Sequence, residues 1–310
     1  MTNPVSRRIR RKVRELCLMT YATEHLWQHR QLRREYARSK GAVVVHQMSK
    51  VGSQTVVASL HEALPDHAIY HTHFISEQGL AWLEGFVRER WGSVHIPQHL
   101  WHGQFVRENL CGKDVPGRLR IVTLVRDPVA RNISEFFQEL DVHLSYPYQE
   151  RLADKGIDVV SDELERMLLH KVNEEVDWQR PYAWFDPEIR DVLGIDLFNT
   201  DFDTSAGYGI FSQGNTDLLL IKLERLSECA EQAFDEFLGI KGFRLASHNV
   251  ADSKYYSDAY RKIQNRLQIS ADLLEKGYAS SHVRHFYSEK EIENLIDRWE
   301  CVSPSRETPL

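Results

Sequence analysis

Three short apolar runs constrain this chain more than anything else. Each is followed by a polar loop and then by a stretch of helical periodicity. Ala42-Val43-Val44-Val45-His46 leads into a polar loop over 47–53 and an expected helix over 54–64, which Pro65 closes. His67-Ala68-Ile69-Tyr70-His71 precedes an expected helix over 77–91. Arg120-Ile121-Val122-Thr123-Leu124-Val125 precedes a helix opened by Asp127-Pro128, with Pro128 at the first turn, where its missing N–H costs nothing. Runs rich in β-branched residues and without polar alternation suit strands buried on both faces. Such strands interleaved with helices imply a parallel sheet flanked by helices, an α/β class. Further strands are expected at 194–198, 207–211 and 218–223. Helices are expected at 5–38, 224–238, 257–268, 270–277 and 288–300, with a helical middle over 150–193. The division is a basic helical extension (1–40), one α/β domain (41–300) with helical additions at both ends, and a tail (301–310).

Charge separates the first of these pieces from the rest. Residues 1–40 hold eleven Lys or Arg against Glu15, Glu24 and Glu35, a local +8; the overall charge of −6 therefore leaves −14 for the remaining 270 residues. An acidic body excludes a general nucleic-acid binder, whose phosphate contacts need basic surface. The run Arg7, Arg8, Arg10, Arg11, Lys12 and Arg14 is suited to peripheral contact with an anionic membrane surface or a polyanion. The competing reading is a solvated helix that packs through Val13, Leu16, Leu18 and Leu26. Four scattered cysteines without a CxxC pair support neither a zinc site nor a disulfide framework and favour a reducing compartment. No metal ligand set is expected. No apolar run long enough to span a bilayer occurs, and the N-terminus lacks the apolar core of a secretory signal.

Two loops carry the chemistry. His46-Gln47-Met48-Ser49-Lys50-Val51-Gly52-Ser53-Gln54-Thr55 joins a buried strand to a helix, a geometry that aims backbone N–H groups at one point and favours an anion. Gly52 permits close approach, Lys50 adds a mobile positive charge, and Ser53, Gln54 and Thr55 supply first-turn donors. The alternative is an ordinary turn with Ser53 as helix N-cap. The Walker order is absent, because the lysine precedes the glycine. In the second loop Arg126 ends a strand, where α/β sheets bind ligands, and Ser134 lies eight residues on, about two helical turns. Together they can grip one phosphate. The alternative pairs Arg126 with Asp127 and turns Ser134 to solvent.

The pattern Lys-x-Gly-Ser-x-Thr after one strand and Arg-Asp-Pro-x-x-Arg-x-x-Ser after another, some 75 residues later, resembles the sulfotransferases that use 3′-phosphoadenosine-5′-phosphosulfate. Asn249-Val250-Ala251-Asp252-Ser253-Lys254-Tyr255-Tyr256-Ser257 resembles the Asn…Lys-Trp-Tyr-Ser signature of a bacterial sulfotransferase-like family described as capsular polysaccharide synthesis proteins, with Tyr255 in place of Trp. His285-Phe286-Tyr287-Ser288-Glu289-Lys290-Glu291-Ile292 resembles the helix start that ends many sulfotransferase domains. The resemblance covers roughly residues 41–300. It implies a P-loop-like, sulfotransferase-type fold and a cytoplasmic enzyme transferring a sulfuryl group to a hydroxyl of a carbohydrate or other small acceptor. It implies that Lys50, Val51, Gly52, Ser53, Gln54 and Thr55 hold the 5′-phosphosulfate, that Arg126 and Ser134 hold the 3′-phosphate, and that Lys254 assists.

Such transfer asks the protein mainly to position and to stabilise charge. Lys50 is expected to neutralise the leaving phosphate. A base must take the acceptor proton, and His71 or His73, placed after the second strand, is the expected choice. His46 is expected to pack, and Asp201 and Asp203 are weaker candidates. Trp82, Trp91, Trp101, Trp178 and Trp184 are candidates for stacking on sugar rings. Asn132-Ile133-Ser134 has the form of a glycosylation acceptor; its place in the nucleotide motif argues against secretory passage. A nucleotide-dependent phosphotransferase and a non-catalytic nucleotide-binding protein are the competing readings.

Overall fold

A computed structural model describes residues 4–91, 96–113, 115, 117–144, 147–174, 180–246 and 254–300, with side chains in the first helix described from Tyr21 onward. In chain order the elements are α1 (Pro4–Arg38), β1 (Ala42–His46), α2 (Ser53–Ala63), β2 (Ala68–Thr72), α3 (Glu77–Trp91), α4 (Gln98–Asn109), β3 (Leu119–Val125), α5 (Pro128–Gln138), α6 (Leu140–His143), α7 (Tyr148–Glu174) and α8 (Arg180–Ala183). A wide helical turn (Asp186–Arg190) and α9 (Asp191–Leu193) follow. Then come β4 (Tyr208–Gln213), β5 (Thr216–Lys222), α10 (Leu226–Leu238), α11 (Ser257–Gln264), α12 (Ala271–Tyr278), α13 (Ser281–Phe286) and α14 (Glu289–Trp299).

The five strands form one sheet in the order β2-β1-β3-β5-β4. All neighbours run parallel except β4, which is antiparallel to β5. The alternation of side chains along each strand sorts the core into two layers. Val43 and Val45 of β1, Val122 and Leu124 of β3, and Leu219 and Ile221 of β5 pack on Val56 and Leu60 of α2 and on Ala233 and Phe234 of α10. Val44, Ile121, Val125, Leu218 and Leu220 face the opposite layer with Phe105 of α4, Phe136 and Phe137 of α5, and the C-terminal helices. Both faces are covered, which is why the sequence shows continuous apolar runs rather than alternation.

Chain order reverses between β1 and β3: from β1 the sheet grows to β2 on one side and to β3 on the other. Open α/β sheets bind ligands outside the carboxyl ends of strands at such a switch point. Here that point lies between the loop after β1 and the corner after β3.

The C-terminal helices are bolted to this corner. Asp127 caps α5, accepting from the N–H groups of Val129 (3.0 Å) and Ala130 (3.2 Å). It also accepts from the Tyr278 hydroxyl (2.6 Å) and the Trp299 indole N–H (3.0 Å). The Asp127 N–H donates to Glu224 (2.8 Å), whose other oxygen accepts from the Tyr287 hydroxyl (2.9 Å). A capping box between Ser288 and Glu291 starts α14. Glu291 in turn pairs with Lys222, which is fully buried at the end of β5.

Three local expectations fail. Residues 194–198 form no strand: Gly194 takes a left-handed turn (φ 73°) and a 3₁₀ turn follows over Leu197–Asn199. Ile195 and Leu197 are buried outside the sheet, and the partly buried Phe198 ring packs on His282 and Phe286 of α13. The second strand is Ala68–Thr72, one residue later than expected, so His71 lies within it and only His73 follows it. Helix α4 was not anticipated. Gly103 at its centre weakens the helical signal, but a Cβ there would strike the backbone carbonyl of Phe74, so glycine lets α4 approach the chain after β2.

The second half of α1 lies on the body: Leu32 is buried with Tyr70 and Phe105, and the Tyr70 hydroxyl donates to the Leu32 carbonyl (3.4 Å). Leu26, expected to pack, is 58% exposed, as is Trp27 at 57%; Val13, Leu16 and Leu18 have side chains outside the described residues. No described helix is long and apolar enough to cross a membrane.

Candidate functional site

A cavity of about 860 Å³ opens over the carboxyl ends of β1, β2 and β3. Its size is that of a nucleotide or drug-sized ligand site. One side is built by the loop after β1. Lys50 has φ 71° and Gly52 φ 88°, two left-handed residues that fold the loop back over the sheet. For a non-glycine residue this conformation is uncommon and strained, and it is held by the surrounding structure. Helix α2 then starts at Ser53 with Gly52 in the N-cap position and no side-chain cap. The alternative reading, an ordinary turn with Ser53 as the N-cap, therefore does not hold. Ser53 is the first helical residue, and the first-turn amides of α2 have no side-chain acceptor from the N-cap. A helix N-terminus of this kind favours an anion.

Cationic side chains line the same cavity. The Lys50 and Lys254 ammonium groups both donate to the Gln138 amide oxygen, at 2.9 and 2.7 Å. Among the described residues neither has a carboxylate within ion-pair distance. Burial first, then the neighbouring charge of Lys254, hold Lys50 down to about 7. Burial likewise lowers Lys254. Arg126 donates to the Lys50 carbonyl (2.8 Å) rather than to Asp127, which is committed to its helix cap. A guanidinium has five N–H donors, so most of the fork remains for a ligand. Arg131 is spent differently: its side chain is 2% exposed, it pairs with Glu135 (2.6 and 2.8 Å), and it reaches the carbonyl and hydroxyl of Ser49 (3.3 and 3.2 Å). It thereby ties the first loop to α5. Ser134 lines the cavity, as do Gln54 and Thr55. Val51 does not; it is buried beneath the loop.

A cluster of imidazoles lines the same cavity. His71, His73 and His99 line the cavity, with the His73 ring 4.8 Å from that of His71 and 4.7 Å from that of His99. The His71 backbone N–H donates to His102 Nδ1 (3.0 Å). Burial lowers all four of these histidines, reinforced for His71 and His99 by their imidazole neighbours; they are neutral at physiological pH. His73 Nδ1 lies 2.8 Å from the Gln47 carbonyl. A carbonyl only accepts, so Nδ1 carries the proton and Nε2 carries the lone pair. That makes His73 an oriented neutral base. His71 Nε2 is buried without a hydrogen-bond partner. His46 packs as expected, fully buried against the Thr72 hydroxyl (2.7 Å).

Sequence reasoning missed the group that holds His73. Glu188, 1% exposed, accepts from the N–H groups of Ile75 (2.6 Å) and Ser76 (2.9 Å) and from the Ser76 hydroxyl (2.5 Å). The Trp184 indole N–H donates to the His73 carbonyl (2.8 Å). Two residues more than 110 positions downstream thus clamp the chain after β2, and no local pattern announces them. Asp201 and Asp203 do not line the cavity; Asp203 is exposed and caps a turn at Ser205 and Ala206. Of the tryptophans, Trp82 is 50% exposed at the cavity rim and stacks on Phe86 (5.5 Å, 15°). Trp184 lines the cavity, and Trp101 is core. The side chains of Trp91 and Trp178, and Asn249 through Ser253, lie outside the described residues.

The sequence model of a family named NKWYS, described as "Putative capsular polysaccharide synthesis protein", matches residues 154–288. This span contains Trp184, Glu188 and the Lys254–Ser257 segment, but neither the loop after β1 nor that after β3. Searches of curated proteins and of solved structures returned no match.

Proposed function

We propose that this protein is a sulfotransferase of the P-loop-like type, moving a sulfuryl group from 3′-phosphoadenosine-5′-phosphosulfate to a hydroxyl of a polysaccharide or its precursor. One observation carries the reading. Lys50 and Lys254 meet at Gln138, Arg126 holds the Lys50 carbonyl, and all three cations line one cavity with the first turn of α2 and a neutral, oriented histidine. Three cationic side chains together with helix amides suit a ligand bearing two phosphate-type groups. The likeness to a polysaccharide-synthesis family supports a glycan acceptor, and the Trp82–Phe86 rim offers a flat apolar face for a sugar ring.

The donor supplies the activated sulfur–oxygen bond; the protein positions and stabilises. In this reading Arg126 and Ser134 fix the 3′-phosphate, while Lys50 and the first-turn amides of α2 face the 5′-phosphate. The acceptor oxygen forms its bond to sulfur as the bond to the phosphate oxygen breaks. The bonding pair leaves with the phosphate, and the acceptor proton passes to His73 Nε2. Lys50 is the group placed to follow charge onto the leaving oxygen, a stabilisation that grows in the transition state.

The test is a melting scan with adenosine 3′,5′-bisphosphate, adenosine 5′-monophosphate and ATP, followed by transfer of ³⁵S from labelled donor to glycan acceptors. Selective stabilisation by the bisphosphate together with label transfer supports the proposal. Stabilisation without transfer to any acceptor points to a binding protein. Preference for ATP with a metal requirement points to a phosphotransferase.

A further inference from the structure

Outside the residues that line the cavity, α1 meets α4 through a group of side chains that the proposed chemistry does not use. His25 and His29 sit four residues apart on α1 and therefore share one face of the helix. Their rings stack with centroids 4.1 Å apart. Glu108 comes from α4, and its carboxylate lies 3.4 Å from His29 Nδ1. One donor atom from each of the three residues lies within 4.8 Å of the other two. Among the described residues this is the one group of His, Cys, Asp or Glu with that property.

The spacing suits a metal ion. Zinc binds imidazole nitrogen at about 2.0–2.1 Å and carboxylate oxygen at about 2.0–2.2 Å, so neighbouring ligands of a tetrahedral site stand roughly 3.3–3.5 Å apart. The His29–Glu108 separation already has that value, and a donor atom of His25 lies within 4.8 Å of both. The surroundings add a second indication. His29 is 6% exposed, and its Nε2 is buried without a hydrogen-bond partner. Gln104 of α4 has an amide nitrogen that donates to the Tyr21 hydroxyl (3.3 Å) and an Oε1 that is likewise buried and unpartnered. A histidine that ligates through Nδ1 must carry its proton on Nε2, and metal-bound histidines usually give that proton to a carbonyl or carboxylate. Gln104 Oε1 stands ready for that role.

We infer that His25, His29 and Glu108 form a site for a divalent transition-metal ion of the zinc class, which staples α1 onto α4. Two imidazoles and one carboxylate favour such an ion over Mg²⁺ or Ca²⁺, which prefer all-oxygen sets. Glu108 is half exposed (side chain 50%), so the remaining coordination position opens to water. The inference does not depend on the sulfotransferase reading, and it departs from the sequence-based expectation of no metal ligands. The signal was present as His25-x-x-x-His29, but the third ligand lies about eighty residues away on another helix.

Zn²⁺ titrated into the metal-stripped full-length protein, followed by calorimetry and by melting, tests this. The expected result is one saturable site per chain and a rise in melting temperature of about 4 °C or more once the ion is well above its dissociation constant. His25→Ala and Glu108→Gln should each weaken binding at least tenfold while retaining the far-UV spectrum of the unaltered chain. Both residues are at least partly exposed, so these changes spare the buried His29. Mg²⁺ should give no shift. The inference is overturned if Zn²⁺ does not bind, or if binding is unchanged in both variants, which would place the ion on other histidines of the chain. His99→Ala serves as the control for the cavity imidazoles and should leave the site intact.

Discussion

Binding of a bisphosphate nucleotide should take up protons, and Lys50 should be the group that takes them. In the free protein, burial and the positive charge of Lys254 hold Lys50 near 7, against an ordinary 10.5. A phosphate placed against the ammonium removes both causes, because it neutralises the local charge and solvates the cation with its oxygens. The bound-state value is therefore higher, and binding is favoured by protonation. Affinity is full below about pH 7 and falls by about tenfold per pH unit above it, until the bound-state value is reached. At pH 8 a group titrating near 7 is roughly one-tenth protonated, so about 0.9 proton enters per ligand; at pH 6 the figure is about 0.1. Phosphate itself adds little at pH 8, since its second ionisation lies near 6. Calorimetry with adenosine 3′,5′-bisphosphate in buffers of different ionisation enthalpy reads this number directly as a slope. Lys50→Met should abolish the slope. Lys254→Met should reduce it at pH 8, because removing the neighbouring charge raises Lys50 in the free protein. A zero slope in the unaltered protein, or an unchanged slope in Lys50→Met, refutes the electrostatic account of the site.

Four further outcomes follow. Arg126→Ala should erase the preference for the 3′,5′-bisphosphate over the 5′-monophosphate, costing about 2–5 kcal/mol of bisphosphate affinity; equal affinities before mutation would rule out the assignment. His73→Ala should lower kcat about 10²–10⁴-fold and remove the acidic limb of the pH–rate profile, a limb that burial of His73 shifts below the usual histidine range; His71→Ala should cost much less. Full turnover by both variants would end the histidine assignment. Glu188→Ala leaves the Ile75 and Ser76 N–H groups buried without acceptors, so it should destabilise the fold by about 2–4 kcal/mol in denaturant melts and lower kcat along with it. Deleting residues 1–20 should leave the melting temperature and nucleotide binding intact while reducing salt-sensitive association with anionic vesicles. Deleting 1–40 should cost about 2–3 kcal/mol or more, because Leu32 leaves its contact with Tyr70 and Phe105.

The periodicity of the chain fixed its class and the positions of its best loops. Val43–Val45 and Ile121–Val125 are apolar at nearly every position, Thr123 excepted, because helices cover both faces of their sheet, and that pattern is local enough to read in one sequence. Lys50, Gly52 and Arg126 were legible for the same reason: in each loop the strand end and the helix start lie within ten residues of one another. The structure then brings these two loops, read as separate motifs, to one switch point, because β1 and β3 are neighbours although their paired residues, Val43 and Arg120 first, stand 77 positions apart. Distance along the chain hid everything else. Glu188 and Trp184 hold the His73 loop from across the sequence, Gln138 gathers two lysines, and Gly103 lets α4 bring His99 to the cavity and His102 against the His71 backbone. Each is a contact between residues whose own neighbours say nothing of it. Ser53 shows the same limit at short range: the sequence marks a helix start, but only the left-handed backbone at Lys50 and Gly52 decides that no side chain caps it.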